Sequence, residues 1–341
     1  MIIFPKAIDK NLKIGVTATS CGLDNEADLN KLESAKKNFE EMGYCIVETA
    51  NVRKNLKLVS SSAKERANEF MELWENDEVD YIVAARGGEF LMDMLPYLHQ
   101  RLQGTIRAKW VQGFSDTSLL LFYLTTNYHI ASVHASNFST YGMRVLDESL
   151  LNTVKFLESG EEFQQESFEK YEGVKLAREV GMELEPFNLT EKVEYKLLNK
   201  EGEVHFEGRL LGGCMDVLRS LLGTPYDKTV SFCSQFDEGM IWYLENCEMS
   251  VPDIYRTLWS MREAGWFQNA KGFLIGRTSS RETVYDFTYE DALRSALGEL
   301  NVPIVYDVDF GHVAPQWTLI NGAKAEFHFS ENEKSITQKF E

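Results

Sequence analysis

The first 145 residues alternate short apolar runs with amphipathic stretches so regularly that few folds can accommodate them. Lys13 to Ala18 reads as a strand, Glu26 to Met42 as a helix, Tyr44 to Glu48 as a strand and Ala63 to Glu75 as a helix. The strand Val79 to Ala85, a short helix Phe90 to Leu98, the strand Ala108 to Gly113, an amphipathic helix from Asp116 and the strand Ile130 to His134 complete the series. The strand runs are short and continuously apolar, whereas Leu119, Leu120, Phe122, Tyr123 and Leu124 recur at helical spacing. This order predicts βαβ units, a parallel sheet and helices on both of its faces. In such sheets ligands bind beyond the carboxyl ends of the strands. Arg86-Gly87-Gly88 and Ser115 both fall at such ends.

At 341 residues the chain exceeds the usual size of one core, which predicts two domains. Asp147 to Lys200 breaks the pattern: it carries Glu158, Glu161, Glu162, Glu166, Glu169 and Glu172 with little periodicity, and is expected to be an exposed connection with a helix or two. Strands and helices then resume with Phe206 to Leu211, the turn Gly212-Gly213-Cys214, a helix through Leu222, the strand Met240 to Leu244 and a helix from Pro252 to Ala264. The strand Gly272 to Ile275, the helix Tyr289 to Leu300 and the strand Pro303 to Asp307 follow. Thr318 to Phe329 alternates around Asn321-Gly322, which predicts a β-hairpin. The expected division is residues 1–150, a linker over 151–200, and a smaller α/β domain over 201–341.

A net charge of −18 with no compensating basic cluster repels phosphate backbones, so nucleic acid is not an expected partner. The start, Met1-Ile2-Ile3-Phe4-Pro5-Lys6, is too short an apolar run for a signal peptide, and no later run would span a bilayer. Cys21, Cys45, Cys214, Cys233 and Cys247 are odd in number and form no C-x-x-C pair. A reduced, cytoplasmic protein without disulfides, zinc site of the usual spacing or membrane anchor is expected.

Ser115 lies in Val111-Gln112-Gly113-Phe114-Ser115-Asp116-Thr117, where a strand turns into a helix. Such a corner suits a helix cap, and equally a nucleophile beside unpaired helical N–H groups that can bind an oxyanion. A nucleophilic serine needs a base and a group to orient it. His129, His134 and His328 read as packing or surface residues, His99 as a helix end and His205 as part of a polar strand. His312 remains, in Asp309-Phe310-Gly311-His312-Val313-Ala314-Pro315, on a loop shaped by glycine and proline. Glu245, directly after an apolar strand, can orient an imidazole, with Glu248 as a nearby competitor. Cys214, after Gly212-Gly213 and before a helix, is a second possible nucleophile or a small buried turn residue.

Together these segments resemble the LD-carboxypeptidase family of serine peptidases, which includes murein tetrapeptide carboxypeptidases and MccF-type microcin C immunity peptidases. The resemblance runs in order through Ala85-Arg86-Gly87-Gly88, Gly113-Phe114-Ser115-Asp116-Thr117, Gly208-x-Leu210-x-Gly212-Gly213, Leu222-Gly223-Thr224-Pro225-Tyr226, Leu244-Glu245-Asn246, Gly311-His312 and Asn321-Gly322-Ala323-Lys324-Ala325. It implies an N-terminal parallel-sheet domain of flavodoxin or class I glutamine amidotransferase type, with Ser115 as nucleophile, His312 as base and Glu245 as its orienting acid. It further implies an oxyanion hole from the backbone N–H groups of Gly88 and Asp116, a site at the domain interface, a substrate loop within 151–200, a homodimer, and no cofactor or metal. The implied substrate is a murein tetrapeptide or a peptidyl- or aminoacyl-nucleotide. Glu89-Phe90-Leu91-Met92-Asp93, where the family often has a second glycine, leans toward the immunity-like branch. Cys214 stands where the family usually has asparagine, and no tryptophan occurs between Trp110 and Trp242 to stack on a base. Phe163, Phe168, Tyr171 or Phe187 can serve instead. A Cys214-dependent hydrolase and a binding protein without turnover are the other expectations.

Overall fold

The computed structural model describes residues 1–102, 107–174, 181–198 and 202–341. The opening alternation folds as its pattern requires: β1 (Lys13–Thr17), α1 (Glu26–Glu41), β2 (Cys45–Glu48), α2 (Ala63–Glu75), β3 (Val79–Ala84), α3 (Leu95–Arg101), β4 (Trp110–Gly113), α4 (Thr117–Tyr128) and β5 (Ser132–His134). Local chemistry fixes several helix starts. Asn25 caps α1 by accepting from the Asp28 N–H, and Ser62 with Glu65 forms a reciprocal capping box on α2. The five strands are parallel, in the order β5-β4-β3-β1-β2.

α5 (Glu148–Ser159) leads into β6 (Phe163–Glu166), the two-residue strands β7 (Lys170–Tyr171), β8 (Glu191–Lys192) and β9 (Lys196–Leu197), and then the long β10 (Val204–Cys214). After it come α6 (Met215–Leu218), α7 (Thr229–Cys233), β11 (Met240–Glu245), α8 (Val251–Glu263), β12 (Ala270–Gly276), α9 (Tyr289–Leu297) and β13 (Ile304–Val308). The chain ends with β14 (Leu319–Asn321), β15 (Lys324–Phe329) and β16 (Lys334–Lys339). The second sheet has eight strands, β6-β16-β15-β10-β11-β12-β13-β9, with β10 to β13 parallel.

Three expectations change. Residues 151–200 do more than connect: β6 and β9 close the two edges of the second sheet, although residues 175–180 and 199–200 lie outside the described residues. The hairpin does not turn at Asn321-Gly322. β14 pairs with β5 of the first sheet while β15 pairs with β10 of the second, and the hairpin is β15–β16. Asn321 makes the crossing point, accepting the Gly212 N–H at 2.9 Å, while Gly322 takes φ +91°. Finally, α4 is buried from Thr117 to Thr126 instead of amphipathic, because the second sheet covers the face that would otherwise meet water. Phe122 stacks on Trp266 with ring centroids 5.2 Å apart, and Trp266 on Trp242 at 5.9 Å. The main core runs through residues of both sheets. No helix among the described residues is long and apolar enough to cross a membrane.

Candidate active site

β4 ends at Gly113 and α4 starts at Thr117, so three residues make the corner. Ser115 turns it at φ +60°, a left-handed conformation that costs a residue with a Cβ roughly 1–2 kcal/mol. Space for the serine comes from Gly87, where a Cβ would stand 2.9 Å from Ser115 Cβ and 3.0 Å from its Oγ. The N–H groups of Gly88 and Asp116 donate to no group among the described residues. The Asp116 amide belongs to the unpaired first turn of α4, the usual place for an anion.

Two buried charged side chains hold this corner. The Asp116 carboxylate accepts the Ser20 hydroxyl and, at 2.9 Å, the Leu91 N–H, tying the loops after β1 and β3 to the start of α4. Burial raises its pKa against these bonds. Arg66 donates to the carbonyls of Thr19 at 2.9 Å and Phe90 at 3.0 Å, so the segment that departs from the family pattern after Gly88 is anchored from α2. A Cβ on Gly88 would lie 2.3 Å from Ser20 Oγ. These roles of the Asp116 side chain and Arg66 are not legible in the sequence, since their partners lie far away along the chain.

The other half of the site comes from the carboxyl ends of β10 and β11, where Cys214 and Glu245 are register neighbours. Glu245 is fully buried, and its Oε2 lies 2.8 Å from His312 Nδ1. Burial alone would push this carboxyl up; the charge of His312 and its hydrogen bond outweigh that and hold it below the ordinary range. Burial likewise works to lower the His312 imidazole, but the Glu245 charge, the neighbouring Cys247 and the bond to Glu245 raise it. Gly311, at φ +104°, lets the loop close over the acid: a Cβ there would sit 3.0 Å from Glu245 Oε2. Asp309 fixes the loop's base, paired with Arg277 and accepting from the Tyr195 hydroxyl at 2.7 Å and the Phe168 N–H at 3.0 Å. Glu248, the competing acid, is exposed.

The Phe114 ring packs 5.0 Å from that of His312, which brings the serine corner against the histidine loop. No hydrogen bond joins Ser115 to His312 among the described residues, as is common before substrate binds. Phe114 and His312 share a cavity of about 170 Å³ with Ser136, Met143, Phe187 and Gln316. His134 is interior, its ring centroid 5.3 Å from that of Tyr243, and burial pushes it down to about 4. Cys214 is buried against Glu245 and Asp216, and burial followed by those two charges holds its thiol well above the ordinary range. A thiol so placed stays protonated, opposite to an activated nucleophile. The donor atoms of Cys214, Glu245 and His312 lie within 4.8 Å of one another, close enough for a soft cation, but Cys214 and Glu245 are wholly buried there. Asp216, which nothing in the sequence singled out, accepts the N–H groups of Cys247, Glu248 and Met249 at 3.0, 3.0 and 3.1 Å and so shapes the turn after Glu245.

Residues 14–135 match the family model of the LD-carboxypeptidase N-terminal domain, and residues 207–327 that of the LD-carboxypeptidase C-terminal domain. The probable murein peptide carboxypeptidase of Bacillus subtilis is 24% identical over 332 residues, covering 96% of this chain and 92% of its own. The microcin C7 self-immunity protein MccF of Escherichia coli is 23% identical over 305 residues, covering 82% and 80%. The solved structure of MccF in complex with aspartyl sulfamoyl adenosine aligns at a TM-score of 0.84 with 20% identity and 99% of each chain covered, a likeness of fold.

Proposed function

This chain belongs to the LD-carboxypeptidase family of serine peptidases, and from that premise we propose that Ser115, His312 and Glu245 hydrolyse an amide bond through an acyl-enzyme. The observation that carries this reading is the 2.8 Å bond between His312 Nδ1 and the buried Glu245. It commits one ring nitrogen and leaves Nε2 for the serine. Ser115 Oγ attacks the carbonyl carbon while Nε2 takes its proton, and Glu245 stabilises the imidazolium that forms. The negative oxygen of the tetrahedral intermediate is held by the N–H groups of Gly88 and Asp116. Collapse breaks the C–N bond, and the amine leaves with the proton from Nε2. Water, deprotonated by the same nitrogen, then releases the acyl group and regenerates the serine.

On the substrate, the reading that fits best is a small acylated group joined through an amide to a nucleotide-like partner, with a murein tetrapeptide as the other candidate. Phe187 supports it. Of the four aromatic residues that could replace a stacking tryptophan, Phe187 lines the cavity shared by Phe114 and His312, whereas Phe163 and Phe168 line one separate hollow and Tyr171 another. A base stacks on any flat aromatic face. The test offers a murein tetrapeptide and an aminoacyl sulfamoyl adenosine to wild type and Ser115→Ala, with products read by mass spectrometry. Cleavage of the nucleotide by wild type alone supports the full reading, and cleavage of the tetrapeptide alone moves the substrate to murein. Equal turnover by Ser115→Ala, or binding without products, overturns the mechanism.

A further inference from the structure

We infer that His205, Glu326 and His328 form a binding site for a divalent transition cation, of which Zn²⁺ is the natural probe, on the solvent face of the second sheet. β10 and β15 run antiparallel with His205 opposite His328 and Glu207 opposite Glu326. Successive side chains alternate across a sheet. Phe206 and Phe327 therefore turn inward, their rings 5.1 Å apart, and the two histidines and two glutamates turn outward together.

The donor atoms already converge. His205 Nε2 lies 2.8 Å and His328 Nε2 3.2 Å from the same oxygen, Glu326 Oε1, and all three atoms are within 4.8 Å of one another. The two imidazoles are stacked at 4.1 Å and 17°, so both nitrogens approach from one side. Zinc bonds to nitrogen and oxygen of about 2.0–2.2 Å at tetrahedral angles put ligand atoms roughly 3.3 Å apart, a spacing these side chains reach with small rotations. In the metal-free arrangement each imidazole can donate Nε2–H to the shared carboxylate oxygen. On binding, each ring carries its proton on Nδ1 and offers the Nε2 lone pair, so no net proton is released, and the fourth position is left to water.

A second feature favours a cation here. Glu207 and Glu326 are directly opposed across the ladder, so a second carboxylate stands beside the three donors, in a hollow the two glutamates share with Lys324 and Lys339. The site is remote from the serine corner: β10 runs nine residue steps from His205 to Cys214, about 30 Å of strand. Sequence spacing could not reveal it, because its halves lie 121 positions apart.

Zn²⁺ titration of chelator-treated protein against a chromophoric competitor tests the site. Wild type is expected to take up one equivalent more than His205→Ala or His328→Ala, and Glu326→Gln to weaken that equivalent about tenfold or more. Co²⁺ should show visible d–d bands without near-ultraviolet sulfur charge transfer, and each variant should keep the wild-type circular dichroism spectrum without metal. Zn²⁺ should raise the melting midpoint of wild type alone. Unchanged stoichiometry in both histidine variants overturns the site. So does an equivalent that survives in them but disappears in Cys214→Ser with loss of sulfur charge transfer, which would place the metal at the Cys214–Glu245–His312 cluster instead.

Discussion

Replacing Glu245 by glutamine removes one charge from the interior and little else. The side chain is fully buried, its Oε2 is bonded to His312 Nδ1 at 2.8 Å, and its Oε1 has no partner among the described residues, so the substitution is felt chiefly at the imidazole. The amide can occupy the same space, but it no longer stabilises the imidazolium and can favour the wrong ring tautomer. In serine triads that change costs about 10⁴ in turnover, equivalent to about 5.4 kcal/mol of transition-state stabilisation. The pH profile carries a second signature. His312 acts as a base only when neutral, and Glu245 is a main reason its pKa is raised, with burial working the other way. Below that pKa the active fraction falls about tenfold per pH unit. With glutamine the largest raising cause is gone while burial and the smaller influence of Cys247 remain, so the acid limb of kcat/KM should move to lower pH. The deficit of Glu245→Gln should thus be greatest at alkaline pH and narrow as pH falls. Stopped assays across the pH range on whichever substrate wild type cleaves would measure it. A variant within tenfold of wild type on the alkaline side, or an acid limb that does not move, would refute the proposed role of Glu245.

Gly87→Ala should place a methyl 2.9 Å from Ser115 Cβ and displace the nucleophile, lowering kcat about 10²-fold while the melting midpoint changes little. Asp216→Ala strips three backbone N–H groups of their acceptor and should cost about 2–4 kcal/mol in urea unfolding. Phe187→Ala should raise KM for the nucleotide-linked substrate more than it lowers kcat, read by steady-state kinetics. Ser115→Ala should abolish turnover and keep the fold, checked by product analysis beside circular dichroism.

The serine corner was legible in the sequence because three neighbouring elements do the work: a strand, a turn and a helix follow each other within one segment. His312 and Glu245 were readable as candidates by residue type and by their positions just beyond apolar strands, but their mutual contact depends on the register of β11 against β12 and of β12 against β13, and on Gly311. The supports were not readable. Asp116 reaches Ser20 and Leu91, Asp216 reaches a turn more than thirty positions away, and Arg66 binds two carbonyls from separate loops. Such pairings leave no periodic trace. The misplaced hairpin has a related cause: an alternating run says that strands exist but not which sheet each joins, and here Asn321-Gly322 carries the chain from one sheet to the other.

That crossing affects how the molecule can move. The segment leaving His312 runs directly into β14, which is hydrogen-bonded to β5 in the sheet that carries Ser115. Swinging the two sheets apart like the halves of a clam would tear that ladder and expose the apolar interior around α4. Substrate entry and product exit must therefore be managed by rim loops over a fixed frame. Turnover limited by release should respond to loop substitutions, and should be insensitive to any attempt to hinge one half against the other.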